Sequence, residues 1–202
     1  MSGRNLDLRR RLEALAFGQA GYFTAAQALR VGYSYQAQKY HVDSGNWIRV
    51  DRGLFRLPHW PAEPTDEFVL WTLWSHGQGV LSHDTALAIH NLGDVDPAKI
   101  NLTIPKDSRA RHPLVVLHVA DIPEEDIEHR RSWSVTSPLR TLADVSAGDL
   151  SQEHIDTAMN DAMHRGLVTP RSVRTRSAGL GDRAALRLER ALTAALEDYG
   201  HL

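Results

Sequence analysis

Leu8, Leu12 and Leu15 recur at spacings of four and three with charged residues between them. That is the apolar stripe of an amphipathic helix, and Gly18 and Gly21 bracket its end. Thr24-Ala-Ala-Gln27 has the capping-box spacing, in which the threonine oxygen accepts from the third amide and the glutamine reaches back. A second short helix is therefore expected through Leu29, stopping near Gly32. Ser34 suits the N-cap of a third helix whose inward residues are expected to be Ala37 and Tyr40, ending near Gly45. Trp47-Ile-Arg-Val50 and Leu54-Phe-Arg-Leu57 are β-prone runs on either side of Asp51-Arg52-Gly53, where glycine can supply the positive φ of a tight hairpin. Helix, helix-turn-helix, hairpin is the element order of a winged helix-turn-helix, expected over residues 1–58.

Pro58, Pro61 and Pro64 fall close together, each without an amide donor and each biasing its predecessor toward extended backbone. Residues 59–65 are read as a stiff linker, and residues 66–202 as a larger mixed domain. There a helix is expected from Asp66 to His76, and another opened by Ser82 and closed by Gly93. Ile100–Ile104 and Leu114–Val119 read as strands, separated by Pro105 and Pro113. Ser137-Pro138 is an N-cap followed by proline at the first helical position, for a helix through Val145. Ile155, Ala158, Met159, Ala162 and Met163 follow helical core spacing up to Gly166, and a last helix, about residues 183–198, buries Ala185, Leu188, Leu192 and Ala195. The expected class is α+β, with an N-terminal winged helix-turn-helix and a larger mixed α+β C-terminal domain.

Composition narrows the classes. The 202 residues include no cysteine, which excludes disulfides and thiolate metal sites. The longest apolar stretch, Phe68 to Trp74, is interrupted by Thr72 and far shorter than the roughly 18 residues of a membrane span. Arg4, Asp7, Arg9, Arg10 and Arg11 are followed by no apolar core of a secretory signal, so a cytoplasmic protein with no membrane association is expected. Residues 1–60 hold nine lysines and arginines against four acidic residues, a net of +5, while the remainder has fourteen against twenty-one, a net of −7. A basic head on an acidic body suits a small DNA-reading module joined to something else.

In a helix-turn-helix the second helix of the motif lies in the major groove. Here it offers Tyr33, Ser34, Tyr35, Gln36, Gln38, Lys39 and His41. Glutamine can pair bidentately with adenine, and serine, tyrosine and lysine can hold phosphate or base acceptors. In the hairpin Arg49, Arg52 and Arg56 alternate with apolar residues and are the strongest phosphate candidates. The bland alternative is a solvated helix face beside a structural ribbon, because winged helices also serve as protein-docking modules. Lys106, Arg109 and Arg111 between two strands, with Arg171, Arg174 and Arg176 further on, form a possible second basic patch for nucleic acid or a partner protein; a solvated loop is the simpler reading of the first trio.

Catalytic patterns are weak. Ser82-His83-Asp84 has the letters of a triad, but adjacent residues at a helix start project in different directions, and Ser82 reads better as an N-cap. His83 and His90 are seven apart, and no metal-ligand spacing occurs. The central segment also resembles the region preceding a restriction-endonuclease-like domain, yet Lys39, Lys99 and Lys106 follow no strand-borne acidic pair that could hold Mg²⁺. No enzyme, metal or cofactor is expected.

Gly21-Tyr-Phe-Thr-Ala-Ala-Gln-Ala-Leu29 followed by Trp47-Ile-Arg-Val-Asp-Arg-Gly-Leu-Phe-Arg-Leu57 resembles the N-terminal domain of AbiEi-type antitoxins of bacterial type IV toxin-antitoxin systems. The similarity continues through Val80-Leu-Ser-His-Asp-Thr-Ala-Leu-Ala-Ile-His-Asn-Leu-Gly93, Ile100–Ile104, Val135-Thr-Ser-Pro-Leu-Arg-Thr-Leu-Ala-Asp144 and Asp161-Ala-Met-His-Arg-Gly166. The recognition helix departs from the family in carrying tyrosine, glutamine, lysine and histidine where arginines are common. What the resemblance implies is a repressor that binds double-stranded DNA at promoter repeats of its own operon, with a C-terminal domain that counters a nucleotidyltransferase-like toxin. The alternative is a protein-interaction module that neutralises such a toxin by contact, with DNA binding secondary.

Overall fold

The computed structural model describes residues 3–108 and 111–199, which divide into two compact units. The first comprises Met1–Gln78 together with Arg131–Trp133, and the second Gly79–Arg130 and Ser134–Leu202. The class is mixed α+β, as expected.

In the first unit, α1 (Gly3–Phe17) is followed by β1 (Tyr22–Thr24), α2 (Ala25–Val31), α3 (Tyr35–Asp43), β2 (Ile48–Asp51), β3 (Leu54–Arg56) and α4 (Asp66–Trp74). The capping box forms: Thr24 Oγ1 accepts from Gln27 N, and Gln27 Oε1 accepts from Thr24 N. Ser34 caps α3 through Ala37 N. β2 and β3 pair antiparallel, and β1, three residues too short to leave a periodic signature, adds to β3 with Phe23 opposite Phe55. Leu12 and Ala16 of α1 pack with Phe23, Ala28, Tyr33, Trp47 and Phe55 in one buried cluster. Trp47 stands edge-on to Phe23 at 4.9 Å, the arrangement that aligns a positive ring edge with a negative face.

The division between units falls after Gln78, beyond the proline-rich segment that the sequence marks as a linker. The reason is electrostatic and local. Arg56 at the end of β3 donates from Nη2 to Pro61 O and to Asp66 Oδ2, so the segment 58–65 is bridged and α4 packs with the hairpin's unit. Arg131 lies over Phe17 at 5.2 Å and Trp133 meets Phe68 edge-on, which places that short excursion in the same unit.

The second unit holds β4 (Val80–Leu81), α5 (His83–His90), β5 (Ile100–Ile104), β6 (Val115–Val119), a 3-10 turn (Glu124–Asp126), β7 (Ile127–His129), β8 (Ser134–Thr136), α6 (Pro138–Ala147), α7 (Gln152–His164), α8 (Pro170–Ser177) and α9 (Asp182–Tyr199). Its sheet runs β6-β5-β4-β8-β7, with β5–β6 and β4–β8 parallel and β4–β5 and β7–β8 antiparallel. The two-residue and three-residue strands and α8 lie outside the sequence expectations. Leu142 and Val145 of α6, Ile155 and Met159 of α7 and Leu188 and Leu192 of α9 are fully enclosed together. Burying each such side chain stabilises by about 1.5–3 kcal/mol, so the helical layer is a large hydrophobic contribution to this unit. Arg187 donates to the carbonyls of Ser146, Gly148 and Leu150, satisfying acceptors that α6 leaves at its C-terminus. Ser82 sits before α5 as expected but makes no cap bond, because its hydroxyl instead accepts from Thr103 Oγ1 inside the sheet.

Candidate nucleic-acid interface

α2 and α3 are joined by a tight turn at Gly32, whose φ of +121° disfavours any side chain; a Cβ there would lie 2.8 Å from Leu8 Cδ2, so the end of that leucine would also have to shift. The two helices are then tied by one buried amide. Gln38 Nε2 donates to Ala25 O and Tyr33 O, each at 3.1 Å, and the residue is only 3% exposed. With Gln38 inward, Ala37, His41 and Val42 share the covered face of α3, and Tyr35, Gln36, Lys39, Tyr40 and Asp43 lie on the exposed one.

This arrangement corrects the expectations for four residues of the motif. Tyr40 is 65% exposed, not inward, because the helix turns its 37/38/41/42 stripe to the core. Gln38 is structural and out of reach of a base edge. Tyr33 is buried against Trp47 at 5.0 Å, its hydroxyl held above the ordinary tyrosine pKa by burial. His41 is half-buried and stacked on Trp47 at 4.8 Å, and burial lowers its pKa. Exposed residues expected at the interface are Ser34, which is occupied as the cap, Tyr35, Gln36 and Lys39, whose ammonium pairs with Asp43 at 2.5 Å in an open i,i+4 geometry. Such exposed pairs contribute little and dissociate readily before a phosphate. Tyr40 is the residue the sequence reading missed; the i, i+1, i+4, i+5 spacing of Tyr35, Gln36, Lys39 and Tyr40 is the signal that places it on their face.

In the hairpin, Asp51 Oδ1 accepts from Arg52 N and Gly53 takes φ +69°, which turns the chain. Arg52 is exposed at the tip, and Arg49 is exposed with its guanidinium 5.7 Å from the Phe55 ring. Arg56 differs. Its side chain is 19% exposed and engaged with Asp66 and Pro61 O, so it acts as a strut between β3 and α4 and not as an open phosphate ligand. Ile48 and Val50 of β2 are also exposed, so the ribbon presents both apolar and cationic groups.

The second set of basic residues does not act as a single open patch. Lys106 pairs with Asp121 at 3.3 Å, Arg111 is exposed, and Arg109 lies outside the described residues. On α8, Arg171 and Arg174 are exposed, whereas Arg176 turns inward and donates two bonds to buried Asp126, which Arg140 also approaches at 3.5 Å. Arg140 Nε donates to Asp144 at 2.8 Å, and burial raises the Asp144 pKa against the pull of that arginine. Arg171, Arg176, Arg140 and Asp144 line a groove of about 820 Å³ between α6 and α8.

The Ser82-His83-Asp84 run forms no accessible catalytic arrangement. Ser82 Oγ is 3.0 Å from His83 Nδ1, but Ser82 is fully buried, and the His83 ring stacks on His118 at 3.4 Å. Burial, with His118 and Arg140 nearby, lowers the His83 pKa to about 3. Among the described residues no group of three or more histidine and carboxylate side chains is placed to hold a metal ion, and no helix is long and apolar enough to cross a membrane.

Comparison with solved structures finds the same fold in the crystal structure of the RV2827C protein from Mycobacterium tuberculosis, with a TM-score of 0.64 and 13% sequence identity, over 91% of this chain and 75% of that one. No curated protein matches the chain. Residues 10–58, which hold the end of α1, β1, α2, α3 and the β2–β3 hairpin, match the family model described as the transcriptional regulator AbiEi antitoxin.

Proposed function

We propose that this chain is a sequence-specific DNA-binding repressor of its own operon and the antitoxin of a type IV toxin-antitoxin pair, working in the cytoplasm without catalysis. Its N-terminal segment is read as a winged helix-turn-helix, with α3 entering the major groove and the β2–β3 hairpin as the wing. The observation that carries this reading is the division of labour on α3: the face with Gln38 is spent on holding the motif together, which leaves Tyr35, Gln36, Lys39 and Tyr40 outward, while Arg49 and Arg52 are exposed on the hairpin. Gln36 would read a base, Tyr35, Lys39 and Tyr40 would position the helix, and the two hairpin arginines would hold phosphate. The match to AbiEi antitoxin regulators over residues 10–58 supports a DNA partner and, in general terms, a toxin partner; that toxin is proposed to be nucleotidyltransferase-like.

The test is binding of the purified chain to the duplex upstream of its own coding sequence and to a shuffled duplex of equal length, by fluorescence anisotropy at physiological salt. Tight binding to the native duplex alone is expected. Equal affinity for both would overturn sequence-specific repression and leave contact with a toxin as the function.

A further inference from the structure

β6 is one edge of the five-stranded sheet, and its outer side is paired with no strand among the described residues. The direction of its free backbone follows from the register. Ala120 N donates to Ile104 O, and in a parallel ladder alternate residues bond the same neighbour, so Val116, His118 and Ala120 face β5. Leu117 and Val119 therefore present both N–H and C=O outward, and Val115 directs its carbonyl the same way. Around this open edge Leu114, Val116 and Val119 are 62%, 39% and 50% exposed. A groove of about 610 Å³, lined by Arg111, Pro113, Val115, Leu117 and Val119, runs beside it.

Natural sheets blunt such edges with charges, prolines, bulges or very short strands. The opposite edge of this sheet does so: β7 is three residues long and carries the Glu128–Arg130 and His129–Glu124 pairs. From Leu114 to Ala120, by contrast, the only titratable side chain is His118, and it bonds Asn101 within the sheet. The unprotected edge is a pairing surface.

We infer that β6 is a dimerisation strand, which pairs antiparallel with β6 of a second copy about a twofold axis at Leu117. The occupant follows from self-complementarity. This register sets Leu117 against its own copy and Val115 against Val119, all with outward backbone groups, and matches apolar residues on one face. It also sets Pro113, which has no amide to donate, opposite Asp121, so the paired ladder ends at the Val115–Val119 pairs. Joining β6 to the charged β7 edge would instead propagate without closing, whereas a twofold pair is closed. The inference stands on the sheet alone and does not depend on the DNA-binding reading, although two inverted half-sites would suit a twofold pair.

The experiment is sedimentation equilibrium of the full chain from the low micromolar range upward, for the wild type and for Val119→Lys, which puts on this edge the kind of charge that natural sheets use to block pairing. A wild-type dimer and a Val119→Lys monomer with an unchanged far-ultraviolet spectrum are expected. A cysteine pair tests the register independently of that variant's folding. The natural chain has no cysteine, and residues directly opposed in a hydrogen-bonded antiparallel pair have Cα atoms about 5.5 Å apart, within disulfide reach. Mild oxidation should therefore link Leu117→Cys into covalent dimers and leave Glu128→Cys, on the β7 edge, unlinked. A wild-type monomer at all concentrations, a Val119→Lys dimer, or linkage through Glu128→Cys in place of Leu117→Cys would each overturn the proposal.

Discussion

Arg56 Nη2 and Asp66 Oδ2 lie 2.5 Å apart with both side chains mostly buried, so a hairpin arginine that looks like a phosphate ligand in the sequence is the strut joining β3 to α4. Arg56 Nε and Asp66 Oδ1 are themselves buried without a partner, which makes the pair expensive to leave half-made. Arg56→Ala should lower the stability of the first unit by on the order of 2–4 kcal/mol, because a buried carboxylate is left uncompensated. A double-mutant cycle with Asp66→Asn, followed by urea unfolding, checks this: a coupling near zero would remove the strut.

Arg49 and Arg52 remain the cations of the proposed wing. Replacing both with alanine should leave the unfolding midpoint unchanged, weaken DNA binding, and reduce the log-log salt slope by about 0.9 for each phosphate that the wing no longer neutralises. Affinity measured at four or five salt concentrations decides it, and an unaltered slope would exclude the wing from the interface.

The two glutamines of α3 should behave oppositely. Gln36→Ala should fold normally and change preference among operator variants, at roughly 1–3 kcal/mol for the base pair it reads. Gln38→Ala should instead remove the buried donor to Ala25 O and Tyr33 O and destabilise the motif by about 1–3 kcal/mol, with DNA binding weakened uniformly on all sequences. Thermal melts and a panel of single-base operator variants separate the two effects.

Acid should act on the second unit through the stacked His83–His118 pair. His83 falls from 6.5 to about 3 on folding, and His118 is lowered in the same direction by burial. The unfolded chain then binds more protons than the folded one below pH 6.5, so stability is complete above that value and declines as pH falls toward 3. His83 alone should contribute a slope of up to about 1.4 kcal/mol per pH unit in that window. Asp84, raised by burial, works in the opposite sense, losing stability as pH rises through its folded value. His83→Asn isolates the histidine, since asparagine tolerates the φ of +51° found there. Urea midpoints at pH 7 and pH 5 should differ less in this variant than in the wild type; an equal difference would acquit His83.

The sequence by itself determined the elements whose signals are local. The Thr24/Gln27 box, the Ser34 and Ser137 caps, and the 3.6-residue spacing of Leu188, Leu192 and Ala195 act within one or two turns of chain, and the helices they announce form there. So too for the hairpin at Gly53 and the strands β5 and β6, though not for their parallel pairing. Tertiary structure decided what depends on partners distant in sequence. Strands of two or three residues, such as β1 and β4, are too short to carry a period and exist through the ladders they join. The rotation of α3, which sends Gln38 in and Tyr40 out, is set by the Ala25 and Tyr33 carbonyls that need a donor. The fates of Arg56 and Arg176 were likewise set elsewhere, by Asp66 and Asp126, carboxylates ten and fifty residues away that fold into contact and claim those charges. A charge is legible in sequence; whether it stays open to a ligand is settled only when the chain has placed its counter-charge.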